Sequence, residues 1–203
     1  MKGWSKLNEE MAIVLVDECA DGSHYPLIRD KLLARALFSI SEGWSSITET
    51  GTYVGATSLW FSRVWVNLPF CTVDIHEDWV RYATAKGVNA MHGDSAVVLD
   101  GMVDGLGVRP FFFLDAHWGE FWPLADELKA ISRLADSVVL VHDFDDGKEG
   151  TLYDPGNNMA GPVGGFLAAR QDIKAYRLKG NSVIGVCLLS LPIQNSYWEA
   201  IGG

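Results

Sequence analysis

The chain has 203 residues, 48% hydrophobic and 21% charged, with a formal net charge of −10. That length suits one domain with a substantial core rather than two. The acidic balance, with no clusters of Lys and Arg, argues against nucleic acid or an anionic membrane surface as partner, because phosphate contacts need grouped cations.

The opening stretch, "MKGWSKLNEEMAIVLVDECADG", carries acids within and after its short apolar run. This disfavours a signal peptide, and no later run is long enough to span a membrane. Cys19, Cys71 and Cys187 lie far apart without metal-ligand spacing. An odd, sparse set of thiols fits a reducing, cytoplasmic setting. "YPLIRDKLLARALFSI" has helical periodicity, with Leu33, Leu37 and Ile40 on one stripe and Ile28, Leu32 and Ala36 on the next. Residues 1–44 are expected to form a helical cover.

Strands and helices then alternate. "SSITET" reads as a strand ending at "GTYVG", and "ATSLWFSRVWV" as a helix. "PFCTVDI" is a buried strand, and "HEDWVRYATAKG" a helix closed by Gly87. "VNAMHG" is a strand and "DSAVVLDGMVDGL" a helix. "RPFFFLDA" is apolar on both faces, the pattern of a parallel strand covered on both sides. "PLADELKAISRLAD" is a helix with Pro123 in its first turn and Leu124, Leu128, Ile131 and Ala135 on one face. "SVVLVHD" is the fifth strand. Such alternation predicts parallel strands joined by right-handed crossovers, with helices on both faces. Near the end, "DIKAYRLKG" and "SVIGVCLLSL" are close enough to pair as an antiparallel hairpin. The expectation is a single α/β domain over 1–203: a core over 45–145, a Gly- and Asp-rich substrate loop over 146–165 and a C-terminal hairpin region over 166–203.

Open parallel sheets bind ligands at the carboxyl ends of their strands, so the residues after each strand are the candidates. The first turn, "ETGTYVG", has Gly51 and Gly55 for a sharp bend and close backbone approach. It is not the dinucleotide fingerprint, because Tyr53 stands two places after Gly51. Nor is it a P-loop. Glu49 could accept hydrogen bonds from a cationic amino group. Asp74 is placed to hold ribose hydroxyls or to cap the next helix. Asp94 and Ser95 could border an adenine or cap their helix, with capping the simpler role for Ser95. Asp115 and His117 follow the fourth strand; His142, Asp143, Asp145 and Asp146 follow the fifth. Asp115 and the His142–Asp143 pair would meet if those strands are neighbours. Carboxylates alone suit Mg²⁺, and an imidazole shifts the preference toward Mn²⁺, Fe²⁺ or Zn²⁺. The alternatives are that His142 points aside and acts as a base, or that "HDFDD" is a solvated acidic turn without a metal.

These residues carry a resemblance. Glu49, Gly51, Tyr53 and Gly55 in "ETGTYVGATSL", Asp74 in "TVDIHEDW", "GDS" at 93–95 and "FLDAHW" at 113–118 resemble the class I S-adenosylmethionine-dependent methyltransferases. More narrowly, they are similar to the small metal-dependent O-methyltransferases of the catechol and caffeoyl-coenzyme A type and the macrocin type, with its cephalosporin-hydroxylase relatives. The resemblance covers roughly residues 45–145 and implies a Rossmann-like, mostly parallel seven-stranded sheet. It implies S-adenosylmethionine as cofactor, held by Glu49, Gly51, Tyr53, Gly55, Ser58, Asp74, Asp94, Ser95 and Asp115. It implies a divalent ion, Mg²⁺ first with Mn²⁺ or Fe²⁺ as alternatives, on Asp115, His142 and Asp143.

Two departures stand out. His142 takes a position where the family has a carboxylate or an amide. In "DAHW" an alanine is inserted, and the lysine base that follows the catechol-type motif is missing. His117 is its replacement by position, with a second role beside Asp115 as the alternative; His142 is the other candidate base. Trp118 and Trp122 would wall the acceptor site or pack in the core. The expected partner is a small-molecule hydroxyl acceptor, diol or catechol-like, with a homodimer as assembly. The competing readings are an oxidative enzyme of the cephalosporin-hydroxylase kind and a non-catalytic binding module.

Overall fold

A computed structural model of the chain describes residues 11, 13–15, 18–20, 34, 37–38, 40–118, 121–143, 161–169, 174–177 and 187–190. The five expected parallel strands are β1 (Ile47–Thr50), β2 (Phe70–Asp74), β3 (Ala90–His92), β4 (Phe111–Leu114) and β5 (Val138–Val141). β6 (Lys174–Arg177) and β7 (Cys187–Ser190) complete a seven-stranded sheet of order β3-β2-β1-β4-β5-β7-β6. β7 runs antiparallel to both β5 and β6 and lies between them. The order reverses between β1 and β4, which is where an open sheet of this kind offers a crevice.

Among the described residues, the helices with defined bounds are α1 (Ala56–Val64), α2 (Glu77–Ala85), α3 (Ser95–Met102), α4 (Leu124–Ile131) and α5 (Pro162–Ala169). A short 3₁₀ turn over Val103–Gly105 follows α3. α1 ends at Val64, two residues before the end of its sequence pattern, with Trp65 as its C-cap and the Trp65 ring against Trp60 and Phe61. α5 falls where the sequence reads as the end of a loop. Its "PVGGFLAA" has two glycines and no clear apolar stripe, so local propensity is low. Tertiary packing supplies what propensity does not: Val163 is buried in one cluster with Leu128 and Ile131 of α4. Asp145 and Asp146 lie outside the described residues. So do Ile28, Leu32, Leu33 and Ala36 of the first predicted helix, although Leu37 and Ile40 are helical and buried.

β4 divides the core. Phe111 and Phe113 face a cluster with Trp44, Ile47, Trp60, Phe61 and Leu140. Phe112 and Leu114 face another with Leu99, Leu128, Val139 and Val141. This is why the strand is apolar on both faces, and each such side chain contributes about 1.5–3 kcal/mol by burial. The register then levels the strand tips. Thr50 pairs with Val73 on one side and Leu114 on the other, and Leu114 pairs with Val141. Gly51, Asp115 and His142, just past their strands, and Asp74, the last residue of β2, therefore lie level along a common edge. Among the described residues, no helix is long and apolar enough to cross a membrane.

Candidate functional site

The turn after β1 is held from two sides. Gly51 has φ 83°, and a Cβ there would lie 2.5 Å from the carbonyl oxygen of Asp115. Only glycine lets the β1 turn rest on the tip of β4. Tyr53 also has positive φ, at 45°, uncommon for a side chain of that size. Its N–H donates to Asp74 Oδ2 at 2.9 Å, and its ring meets Trp79 edge-on with centroids 4.8 Å apart. Asp74 Oδ1 accepts the His76 N–H at 2.8 Å, at the start of α2. Asp74 thus ties the β1 turn to α2, and each of its oxygens keeps a further lone pair for a ligand.

Glu49 is buried behind this turn. Ser58 Oγ, from α1, donates to Glu49 Oε2. Thr72 of β2 adds a second hydroxyl. Burial pushes the Glu49 carboxyl up to about 8; the two hydroxyls oppose that, and the charges of Asp115 and Asp74 add to it. The free protein therefore holds a largely neutral acid here at neutral pH.

At the other end, capping of α3 falls to Asp94 and not to Ser95. Asp94 Oδ1 accepts the N–H groups of Ala96 at 2.9 Å and Val97 at 3.4 Å. An N-cap residue stands just outside the helix with an extended backbone, as Asp94 does, whereas Ser95 is already helical. The Ser95 hydroxyl instead donates to Glu127 Oε1 at 2.5 Å. Glu127, on α4, is 1% exposed, and burial raises its carboxyl to about 7 against the pull of the Ser95 and Thr50 hydroxyls.

Asp115, His142 and Asp143 meet beyond β4 and β5. His142 Nδ1 lies 2.7 Å from Asp115 Oδ1 and 3.0 Å from Asp143 Oδ1. One donor atom from each of the three falls within 4.8 Å of the others. Asp143 reaches this position from a left-handed backbone, φ 50°. Burial alone would lower the His142 pKa, but Asp115, by charge and hydrogen bond, and then Asp143 outweigh it and raise it to about 10. The imidazole does not point aside. It faces two carboxylates, whose charge favours its protonated form. Burial also raises Asp115, with His142 opposing.

His117 is exposed and close enough to Asp115 for its charge to act on that carboxyl. Trp118 and Phe121 exchange backbone hydrogen bonds of 3.0 and 3.1 Å, and their rings meet at a tilt with centroids 5.0 Å apart. They form a small aromatic turn just past His117, with Phe121 exposed and Trp118 and Trp122 half-buried. Trp118 is therefore a surface aromatic rather than a core residue.

The sequence reading missed Thr50, Thr72 and Glu127. The first two are buried polar residues, Thr50 at the end of β1 (ITET) and Thr72 within β2 (FCTVD). Glu127 stands on the stripe of Leu124, Leu128 and Ile131, where an acid is out of pattern. That mismatch was the available signal.

No protein-family model and no curated protein sequence matches the chain. Solved structures do. A protein from Klebsiella pneumoniae assigned as an O-methyltransferase superposes with TM-score 0.61 at 15% identity, covering 94% of this chain and 92% of its own. The O-methyltransferase TomG of Streptomyces achromogenes, in complex with S-adenosylmethionine, gives 0.57 at 19%, covering 94% and 92%. An O-methyltransferase from Bacillus cereus, in complex with S-adenosylhomocysteine, gives 0.57 at 17%, covering 93% and 92%. At these identities the likeness is one of fold. The chain shares the Rossmann-like fold of these O-methyltransferase structures, the fold that the sequence resemblance implied.

Proposed function

We propose that the chain is an S-adenosylmethionine-dependent O-methyltransferase that uses a divalent cation to methylate a hydroxyl of a small molecule. The acceptor class is a vicinal diol or catechol-like compound, whose paired oxygens can chelate. The observation that carries this reading is the meeting of Asp115, His142 and Asp143 beside the β1 turn on the ligand-binding edge of a methyltransferase fold.

The donor set fits a cation. Neighbouring ligands of an octahedral ion at about 2.1 Å lie about 3 Å apart, and the Nδ1–carboxylate spacings are 2.7 and 3.0 Å. Two carboxylates and an imidazole suit Mn²⁺ or Fe²⁺ as well as Mg²⁺, and the imidazole would give up its Nδ1 proton to the ion. When bound, such an ion lowers the pKa of a coordinated hydroxyl and orients it. S-adenosylmethionine supplies an electrophilic methyl on a good leaving group.

The chain's own residues do the remainder. Glu49, ionised, pairs with the cofactor's amino group, and the Gly51–Gly55 backbone lets the methionine end approach closely. Asp74 turns its spare lone pairs to the ribose hydroxyls. Asp94 and Ser95 border the adenine. His117, exposed beside Asp115, takes the acceptor's proton in place of the absent lysine. Trp118 and Phe121 cover the acceptor's apolar part and exclude water. Holding the reacting partners in line accounts for several kcal/mol of the barrier.

The test is methyl transfer to a panel of diols by metal-stripped protein, with Mg²⁺ or Mn²⁺ restored and with excess chelator. Activity should return with the ion, and the product should gain one methylene. Full activity in chelator overturns the metal role. A gain of oxygen points to the oxidative alternative, and cofactor binding without turnover to a binding module.

A further inference from the structure

Glu127 has no part in the chemistry above, yet it is a buried acid on an otherwise apolar helix face. It lies on the buried face of α4 among Leu124, Leu128 and Ile131. A leucine there would continue the stripe at no desolvation cost, whereas a carboxyl must be hydrogen-bonded to be tolerated. It is hydrogen-bonded to two elements at once. Oε1 accepts the Ser95 hydroxyl at 2.5 Å, from the first turn of α3. The Thr50 hydroxyl, at the tip of β1, is its second partner. Thr50 Oγ1 in turn accepts the Asp115 N–H at 3.3 Å, beside the ladder bond from the same N–H to the Thr50 carbonyl at 3.1 Å. Ser95, Glu127, Thr50 and Asp115 thus form one connected path from the α3 end of the cleft to the tip of β4.

We infer that Glu127 is a positioning residue of the cofactor cleft. Its carboxyl fixes the Ser95 end, against the adenine, relative to the Thr50–Asp115 end, next to the methyl donor. This rests on the reading of the cleft as an S-adenosylmethionine site. Glutamine keeps a carbonyl acceptor and adds an amide donor, so it can hold both hydroxyls. Leucine holds neither.

The experiment measures S-adenosylhomocysteine binding by calorimetry and stability by urea melts for wild type, Glu127→Gln and Glu127→Leu. Glu127→Leu extends the apolar stripe but leaves the Ser95 and Thr50 hydroxyls without their acceptor, so its stability should stay close to that of wild type, yet it should bind about tenfold more weakly, the loss expected when an ordering hydrogen bond goes. Glu127→Gln should restore binding to within about threefold. A purely structural role would move stability and binding together. Ser95→Ala should weaken binding in wild type and have no further effect in Glu127→Leu, since both changes cut one path. It also keeps the test alive if Glu127→Leu does not fold, because it leaves α4 untouched. Equal affinity of wild type, Glu127→Leu and Ser95→Ala overturns the role of Glu127 while leaving the cofactor site intact. A wild-type chain that binds no S-adenosylhomocysteine overturns both.

Discussion

Two groups of acids line the same sheet edge and are satisfied in opposite ways. On the β1–β2 side, Asp74 accepts backbone N–H groups from Tyr53 and His76, and Glu49 takes hydroxyls from Ser58 and Thr72. Each carboxyl is held by neutral donors that keep it in place. On the β4–β5 side, Asp115 and Asp143 converge on one imidazole, and their neutralisation is charge against charge. The first arrangement is a rigid hydrogen-bonding cradle, suited to an organic ligand with hydroxyl and amino groups. The second gathers two carboxylates about one imidazole, where a compact cation would have to displace the imidazole's proton. The difference teaches that a count of acids along the edge says less than what each acid is bonded to.

If that division holds, the two sides fail separately. Asp115→Ala removes a carboxylate from the second group and leaves the cradle whole. Methyl transfer should fall by about 10²–10³-fold, the usual loss on removing one preorganised electrostatic stabiliser. The stabilisation conferred by Mn²⁺ in a thermal melt should vanish. S-adenosylhomocysteine should still stabilise the variant. Equal loss of both ligands would mean that the groups act as one site.

Gly51→Ala probes where the sides touch. The new Cβ would press on the Asp115 carbonyl oxygen at 2.5 Å, and φ is 83°. Neither backbone can yield cheaply, so the variant should lose about 2–3 kcal/mol in a urea melt. It should lose both ligand responses, because the β1 turn and the β4 tip separate together. Gly43→Ala is the control. Its φ is 85°, but a Cβ there meets nothing within 4 Å. It should cost only the left-handed strain of about 1 kcal/mol and leave ligand binding unchanged.

How much of this was legible beforehand follows from what each signal reports. The phenylalanines of β4 announced a strand covered on both faces, and its register then fixed Asp115 beside His142. Strand ends, and so the site's location, could be read from runs of apolar residues. The pairings could not. Nothing local says that Ser95 bonds an acid 32 residues away, or that Asp94 rather than Ser95 caps α3. Helix α5 was hidden because its glycines weaken the local pattern and packing against α4 makes up the difference. Hydrophobic period reports burial, and a buried polar residue such as Glu127 appears in it only as an interruption.

The finest test of the comparison lies in pH. Glu49 has its carboxyl raised from 4.5 to about 8 in the free protein, chiefly by burial. Below about 8 the acid is mostly neutral, and a neutral acid cannot pair with an ammonium group. Ligand binding on the cradle side must therefore expel a proton. The association constant of S-adenosylhomocysteine should rise with pH, by up to about tenfold per unit below 8, and flatten above it. In Glu49→Gln no proton is lost at that position, so this slope should be absent, and affinity at pH 8 should fall below that of wild type. Calorimetry in buffers of different ionisation heat counts the proton directly. Wild type should release close to one proton at pH 6.5 and the variant none from this site. A wild-type affinity that is flat from pH 6 to 8 would mean that Glu49 stays neutral in the complex, as a donor rather than a counter-charge. The cradle would then bind by hydrogen bonds alone, and charge would belong entirely to the β4–β5 side.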